Sequence, residues 1–211
     1  MPRPFNKLKA VAAPIMRSNV DTDVIIRIEC LIGNSVRGTL GKWAFGSLRY
    51  LPDGSENPEF ILNREPYRQA EILVTGPNFG CGSSREGAVW SLQEMGIRAI
   101  VGSGFGDIFF ANCFQNGILP IVVDKEVVDA LAADIEATQG AGRVSIDLEG
   151  QMVLSPSGTQ HRFEIDPRRR EGLLQGSDEV ALTLQRDNEI RAFQAADREA
   201  RPWIHFARKS A

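Results

Sequence analysis

Histidine is scarce in this chain. His161 and His205 are the two it has in 211 residues, and both fall far downstream of its most distinctive glycine turn. A serine triad, which needs an imidazole beside the nucleophile, is therefore not expected. Cysteine is nearly as sparse: Cys30, Cys81 and Cys113 are odd in number, widely separated and without a Cys-x-x-Cys pair. They suggest neither a disulfide framework nor a metal site, so no cluster held wholly by this chain is expected. Excess positive charge is missing too, because the formal net charge is −3, and with it the basic field that nucleic acid requires. No apolar run approaches the roughly 20 residues of a membrane-spanning helix. Met1-Pro2-Arg3-Pro4-Phe5-Asn6-Lys7 is not followed by the apolar core of a signal peptide. No internal repeat is visible. The expectation is a soluble, cytoplasmic protein of one domain, long enough to bury a substantial core.

What is present is concentrated between Asn78 and Trp90, which reads Asn-Phe-Gly-Cys-Gly-Ser-Ser-Arg-Glu-Gly-Ala-Val-Trp. It follows the apolar run Ile72-Leu73-Val74 and leads into Val89, Leu92 and Met95, spaced three apart and closed by Gly96. That pattern predicts strand, glycine turn and helix. Ser83 and Ser84 then stand near a helix N-terminus, where unpaired N–H groups and the positive end of the helix dipole converge; Arg85 adds a full charge. Such a turn suits a carboxylate or phosphate. A second reading is that the serines only cap the helix. The turn lacks the Lys of a Gly-x-x-x-x-Gly-Lys loop and the Gly-x-Ser-x-Gly of a hydrolase elbow. Cys81 beside Arg85 is either a thiol of lowered pKa or a small residue fitting a tight turn.

Elsewhere, Leu8 to Ile15 reads as a first strand. Asp21-Thr22-Asp23 delivers two carboxylates onto the apolar Val24-Ile25-Ile26; these acids either orient a charged group or simply make a turn. Cys30 to Trp43 reads as a mobile connection in which Arg37 is the candidate anion binder. Trp43 and Phe45 are expected in the core. Beyond the central turn, strand 97–101, a helix from Asp107 to Asn116 stopped by Gly117, strand 118–123 and the amphipathic helix Lys125–Ala137 alternate, with Val127, Leu131 and Ile135 as the buried face of the last. This rhythm predicts parallel pairing with right-handed crossovers. Gly102 to Gly106 reads as a second glycine turn at a strand end, where ligands gather in open α/β sheets, and a crevice common to the two turns is the expectation. From Arg143 the pattern changes to short alternating strands at 144–148, 152–154 and 162–165. Helices follow from Pro167 to Gly176 and from Asp187 to Ala200, the latter with Ile190 and Phe193 buried. The expected organisation is a core over about residues 8–140, accessory strands and C-terminal helices over 141–200, and a peripheral tail over 201–211.

Three stretches in this order carry a resemblance. Asn19-Val20-Asp21-Thr22-Asp23-Val24-Ile25-Ile26, then Asn78 to Glu86, then Asp107-Ile108-Phe109 with Asn112 and Asn116-Gly117-Ile118-Leu119-Pro120, resemble the small-subunit family of 3-isopropylmalate dehydratase. That family is similar to the swivelling C-terminal domain of aconitase. The resemblance implies an α/β fold of the swivelling β/β/α type: a mostly parallel central sheet flanked by helices, with a small antiparallel accessory sheet. It implies a hydro-lyase that interconverts 2-isopropylmalate and 3-isopropylmalate in leucine biosynthesis, active only with a large subunit that carries a 4Fe-4S cluster. No cofactor is expected on this chain, and the other partner is a small dicarboxylate substrate. Carried over by position, Ser83 is the catalytic base, Ser84 and Arg85 bind a substrate carboxylate, Arg37 is a second carboxylate-binding arginine, and Asp23 orients a histidine of the large subunit.

Three positions depart from the family pattern: Gly87 stands in place of a usual His, Val89 of a frequent Pro, and Arg27 of a usual Pro. The departures keep two alternatives open. One is a paralogous hydro-lyase acting on homoaconitate, citraconate or dimethylmaleate; the other is a non-catalytic anion-binding or partner-binding domain.

Overall fold

A computed structural model describes residues 3–32 and 37–204. In chain order the strands are β1 Lys7–Ala10, β2 Ala12–Ile15, β3 Ile72–Thr75, β4 Ala99–Gly102, β5 Leu119–Val122, β6 Val144–Asp147, β7 Met152–Leu154 and β8 Gln160–Arg162. The helices are α1 Thr22–Ile25, α2 Gly46–Arg49, α3 Glu86–Met95, α4 Asp107–Gln115, α5 Lys125–Ala137, α6 Pro167–Gln175, α7 Glu179–Leu184 and α8 Asp187–Ala200.

Strands β2, β3, β4 and β5 pair in that order, all parallel, with Leu73 opposite Ile100 and Val74 opposite Val101. Period-two alternation sorts their side chains into two cores. Ala13, Leu73 and Ile100 point to a cluster with Phe79, Val89, Leu92 and Phe109; Ile72, Val74, Val101 and Ile121 point to one with Val128, Leu131 and Ile135 of α5. Covered on both sides, these strands are apolar throughout rather than alternating. Pro14 and Pro120 interrupt nothing, because each lies on an edge strand whose missing N–H has no ladder partner to lose.

The predicted first strand is two. The chain leaves one sheet at Ala10 and enters the other at Ala12, so the accessory sheet, in order β1, β6, β7, β8 and antiparallel, takes its first strand from the N-terminus. The accessory sheet thus has as many strands as the parallel one. Its third late strand is 160–162 rather than 162–165, Val128 rather than Val127 faces the core from α5, and Trp43 is 40% exposed while Phe45 is buried. Thr22 to Ile25 is a helical turn, not strand, because the Asp21 carboxylate accepts the Val24 N–H at 2.8 Å and starts a helix there. Phe193 is 68% exposed, so α8 does not bury the residue expected of it. Among the described residues no helix is long and apolar enough to cross a membrane.

Candidate active site

The site lies at the C-terminal ends of β2, β3 and β4, where three loops are laced together by their backbones. Thr22 N–H donates to the Cys81 carbonyl at 2.9 Å, Gly80 N–H to Val20 at 2.7 Å, and Gly106 N–H to Phe79 at 2.9 Å. Thr22 Oγ1 donates to the Ser83 carbonyl at 3.0 Å and so fixes the backbone of that serine. Gly80 is required twice over: its φ is +71°, and a Cβ there would stand 2.2 Å from the Phe109 ring. The loops enclose a cleft of about 260 Å³ lined by Thr22, Ser83, Arg85, Ile108 and the glycines 80, 82 and 106. Both glycine turns therefore do meet in one crevice. A larger groove of about 880 Å³ between α4, α6, α7 and α8 holds none of the candidate residues.

Neither serine caps α3. The capping position is Arg85, whose side chain makes no capping hydrogen bond to the helix, and Ser83 and Ser84 precede it as exposed residues. Their hydroxyls are thus left for something other than the helix. The two acids of the Asp21-Thr22-Asp23 motif divide the work that the sequence left open: Asp21 is the cap of α1, whereas Asp23 forms an ion pair with the Arg85 guanidinium. That bond holds the Asp23 carboxyl below its ordinary range and raises Arg85.

Arg37 stands apart from the cleft wall. Its Nη2 donates to Asn116 Oδ1 at 2.8 Å, and its guanidinium lies 4.8 Å over the Trp90 ring. Asn116 Nδ2 in turn donates to Glu86 Oε1 at 2.9 Å, one residue beyond Arg85. The structure thus pairs Arg85 with Asp23, places Ser83 and Arg85 on the cleft wall with Ser84 between them in sequence, and ties Arg37 in through Asn116 and Glu86. Thr22, Glu86, Trp90 and Asn116 were not singled out from sequence. Asn116 was read as a helix end, and only its type, an amide at a helix terminus, hinted at more. The Gly87 departure also has a local cause: a Cβ there would stand 2.6 Å from Leu31 Cδ2, so Leu31 occupies the space of the missing side chain.

The cysteines do not fit an iron–sulfur cluster. Cys113 is wholly buried, which pushes its thiol well above the ordinary value, and burial also raises Cys30. Among the described residues no three His, Cys, Asp or Glu side chains assemble as a metal-binding group.

Comparison with known proteins decides the family. Residues 2–126 match the aconitase C-terminal domain, residues 129–167 match LeuD_N, and residues 179–207 match the C-terminal domain of the 3-isopropylmalate dehydratase small subunit. The chain belongs to the 3-isopropylmalate dehydratase small-subunit family. Within this family, the small subunit of Gluconacetobacter diazotrophicus is 51% identical over 199 residues, 94% of this chain and 95% of that one. The small subunit of Parvibaculum lavamentivorans is 49% identical over 201 residues, 95% of this chain and 98% of its own. A crystal structure of 3-isopropylmalate dehydratase from Methanocaldococcus jannaschii shares the fold, with a TM-score of 0.63 over 89% of this chain and 99% of that one at 23% identity.

Proposed function

We propose that this chain is the small subunit of a hydro-lyase that interconverts 2-isopropylmalate and 3-isopropylmalate by dehydration and rehydration. The observation that carries the reading is the pair of exposed, non-capping hydroxyls at the mouth of α3, beside a guanidinium fixed by Asp23. Taking a proton from carbon next to a carboxylate needs a base and a way to hold the charge that builds on that carboxylate. Ser83 Oγ is the base in this reading. Ser84 and Arg85 hold one carboxylate, with the positive end of the α3 dipole behind them, and Arg37 holds the second. A serine hydroxyl is a weak base in water; it serves when a closing partner removes solvent and leaves fixed donors around the alkoxide. Dehydration removes that proton and a hydroxide, and a departing hydroxide needs a Lewis acid. Among the described residues, the side chains of this chain do not assemble a site for one, which supports placing the 4Fe-4S cluster on a large-subunit partner.

Reconstitution tests the reading. The chain is combined with the large subunit and assayed on 2-isopropylmalate, homoaconitate, citraconate and dimethylmaleate. Turnover confined to isopropylmalate is expected; turnover of another diacid alone reassigns the substrate, and none with any of them leaves a binding domain.

A further inference from the structure

Asn116 closes α4, but it caps the helix with its backbone N–H, which donates to Asn112 and Cys113. Its side chain, in a residue 4% exposed, also bonds to its own helix but reaches three side chains outside it. Two donors converge on Oδ1, Arg37 Nη2 at 2.8 Å and Trp90 Nε1 at 3.1 Å; two acceptors receive Nδ2, Glu86 Oε1 at 2.9 Å and the Asn112 carbonyl at 2.9 Å. This pattern fixes the amide orientation, since a flipped amide would set its NH2 against two donors.

The consequence falls on Arg37. Stacking on Trp90 sets the plane of its guanidinium, and the bond to Asn116 sets the rotation within that plane. The backbone next to Arg37 is held as well, because the Glu94 carboxylate on the last turn of α3 accepts N–H bonds from Gly38 at 2.5 Å, from Leu40, and from Gly41 at 3.2 Å. An arginine on a connecting segment is ordinarily free to sample many rotamers, and freezing them on binding costs affinity. Here Asn116 and Trp90 brace the head group, and Glu94 braces the backbone beside it.

We propose that Asn116 is a positioning residue: it aims the Arg37 guanidinium and ties it, through Glu86, to the α3 terminus that carries Arg85. The proposal rests on the reading that Arg37 grips a substrate carboxylate. It acts on ground-state capture, so its signature is a change in KM with kcat preserved. The test uses the complex reconstituted with its large subunit. Asn116→Leu, which removes both acceptor and donor while keeping the branching and number of side-chain heavy atoms, is expected to raise KM by about tenfold while kcat stays within about threefold. In an Arg37→Ala background the same substitution is expected to add nothing to KM, because the residue through which it acts is gone. Should Asn116→Leu fail to assemble, Asn116→Ser, whose shorter side chain gives up the bonds to Arg37 and Glu86, carries the same comparison. An unchanged KM for these variants, in a complex where Arg37→Ala does raise it, overturns the proposal and leaves the parent reading intact. A KM effect that persists in full without Arg37 shows a merely structural role and overturns it too. An unchanged KM for Arg37→Ala itself removes the parent reading and the proposal together.

Discussion

The two sheets of this molecule are built from strands of similar length and differ in what covers them. The parallel strands β2 to β5 are buried at every position but Val122, whereas β6 and β7 alternate buried with half-buried residues and β8 is mostly exposed. A sheet covered on both faces offers a ligand nothing except the ends of its strands. Ser83, Ser84, Arg85 and Asp23 lie at that end, in loops that the strands hold in place, while Arg37 reaches it through Asn116 and Glu86. The antiparallel sheet has an open face and uses its polar side chains on itself: Asp134 of α5 accepts from Ser155 Oγ at 2.6 Å and from Ser157, fastening the β7–β8 hairpin to the helix. The first sheet carries the candidate site at its strand ends, and the second is fastened to α5.

The sharpest way to break that division is to remove one hydroxyl from each region. Ser83→Ala is expected to lower kcat of the reconstituted enzyme by about a thousandfold, within the usual range for losing a general base, with the melting temperature unchanged. Ser145→Ala in β6 is expected to leave kcat within about twofold. Steady-state assays decide it: a Ser83→Ala enzyme within about tenfold of the parent, under 1.4 kcal/mol of barrier, removes Ser83 from the role of base.

Stability should divide in the same way. Leu73, in the middle of β3 and fully buried, is expected to cost about 2–5 kcal/mol when cut to Ala, because the doubly covered sheet has little freedom to close the cavity. Met152 of β7 is half-buried, and Met152→Ala is expected to cost about 1 kcal/mol, read from urea titrations of the two variants. Equal costs would mean that the two sheets are packed alike.

What the sequence disclosed follows the same line. The continuous apolar runs and glycine turns announced β3, β4, β5 and the crevice at their ends, because a doubly buried strand and a tight turn are both written in local composition. Ser83, Ser84 and Arg85 were found for the same reason: they sit in the turn after a strand whose position the pattern reveals, whereas spacing left Asp23 open and the resemblance alone gave it a role. The break at Val11 was hidden, since eight largely apolar residues look like one strand whichever sheet each half joins. So was the helical turn after Asp21, where a single side-chain cap outweighs the strand preference of Val24-Ile25-Ile26. Asn116 was hidden most deeply: its partners Arg37, Glu86 and Trp90 lie 79, 30 and 26 residues away, and no local pattern encodes bonds at that range. The exposure of Phe193 shows the converse error, in which periodicity assigned a buried face to a helix that has little beneath it.

Gly87 offers a smaller test of how tightly the site end is packed. Introducing the family's histidine by Gly87→His must displace the end of Leu31, and about 1–3 kcal/mol of destabilisation is expected from overpacking. Pairing it with Leu31→Ala opens the same space and is expected to restore most of that loss. A Gly87→His protein as stable as the parent would mean that Leu31 moves aside freely.

The smallest expected effect contrasts two carboxylates, one in each region. Asp23 and Asp147 are both held below the ordinary carboxylate range, but by different partners: Arg85 comes first for Asp23, while for Asp147 the Gly150 N–H, donating at 2.8 Å, comes before Lys7. A folded-state pKa below the unfolded one means that each group's contribution is complete above the ordinary range and fades as pH falls through the depressed value. Following the side-chain carboxyl carbons by NMR, Arg85→Gln is expected to return Asp23 close to its ordinary titration. Lys7→Gln is expected to leave Asp147 depressed, because the backbone donor remains. Since half of the Asp23 carboxylate is exposed, the accompanying change in stability is small and salt-sensitive. If both aspartates respond alike, the distinction between a side-chain pair that holds a guanidinium at the site and a turn that merely satisfies its own backbone disappears.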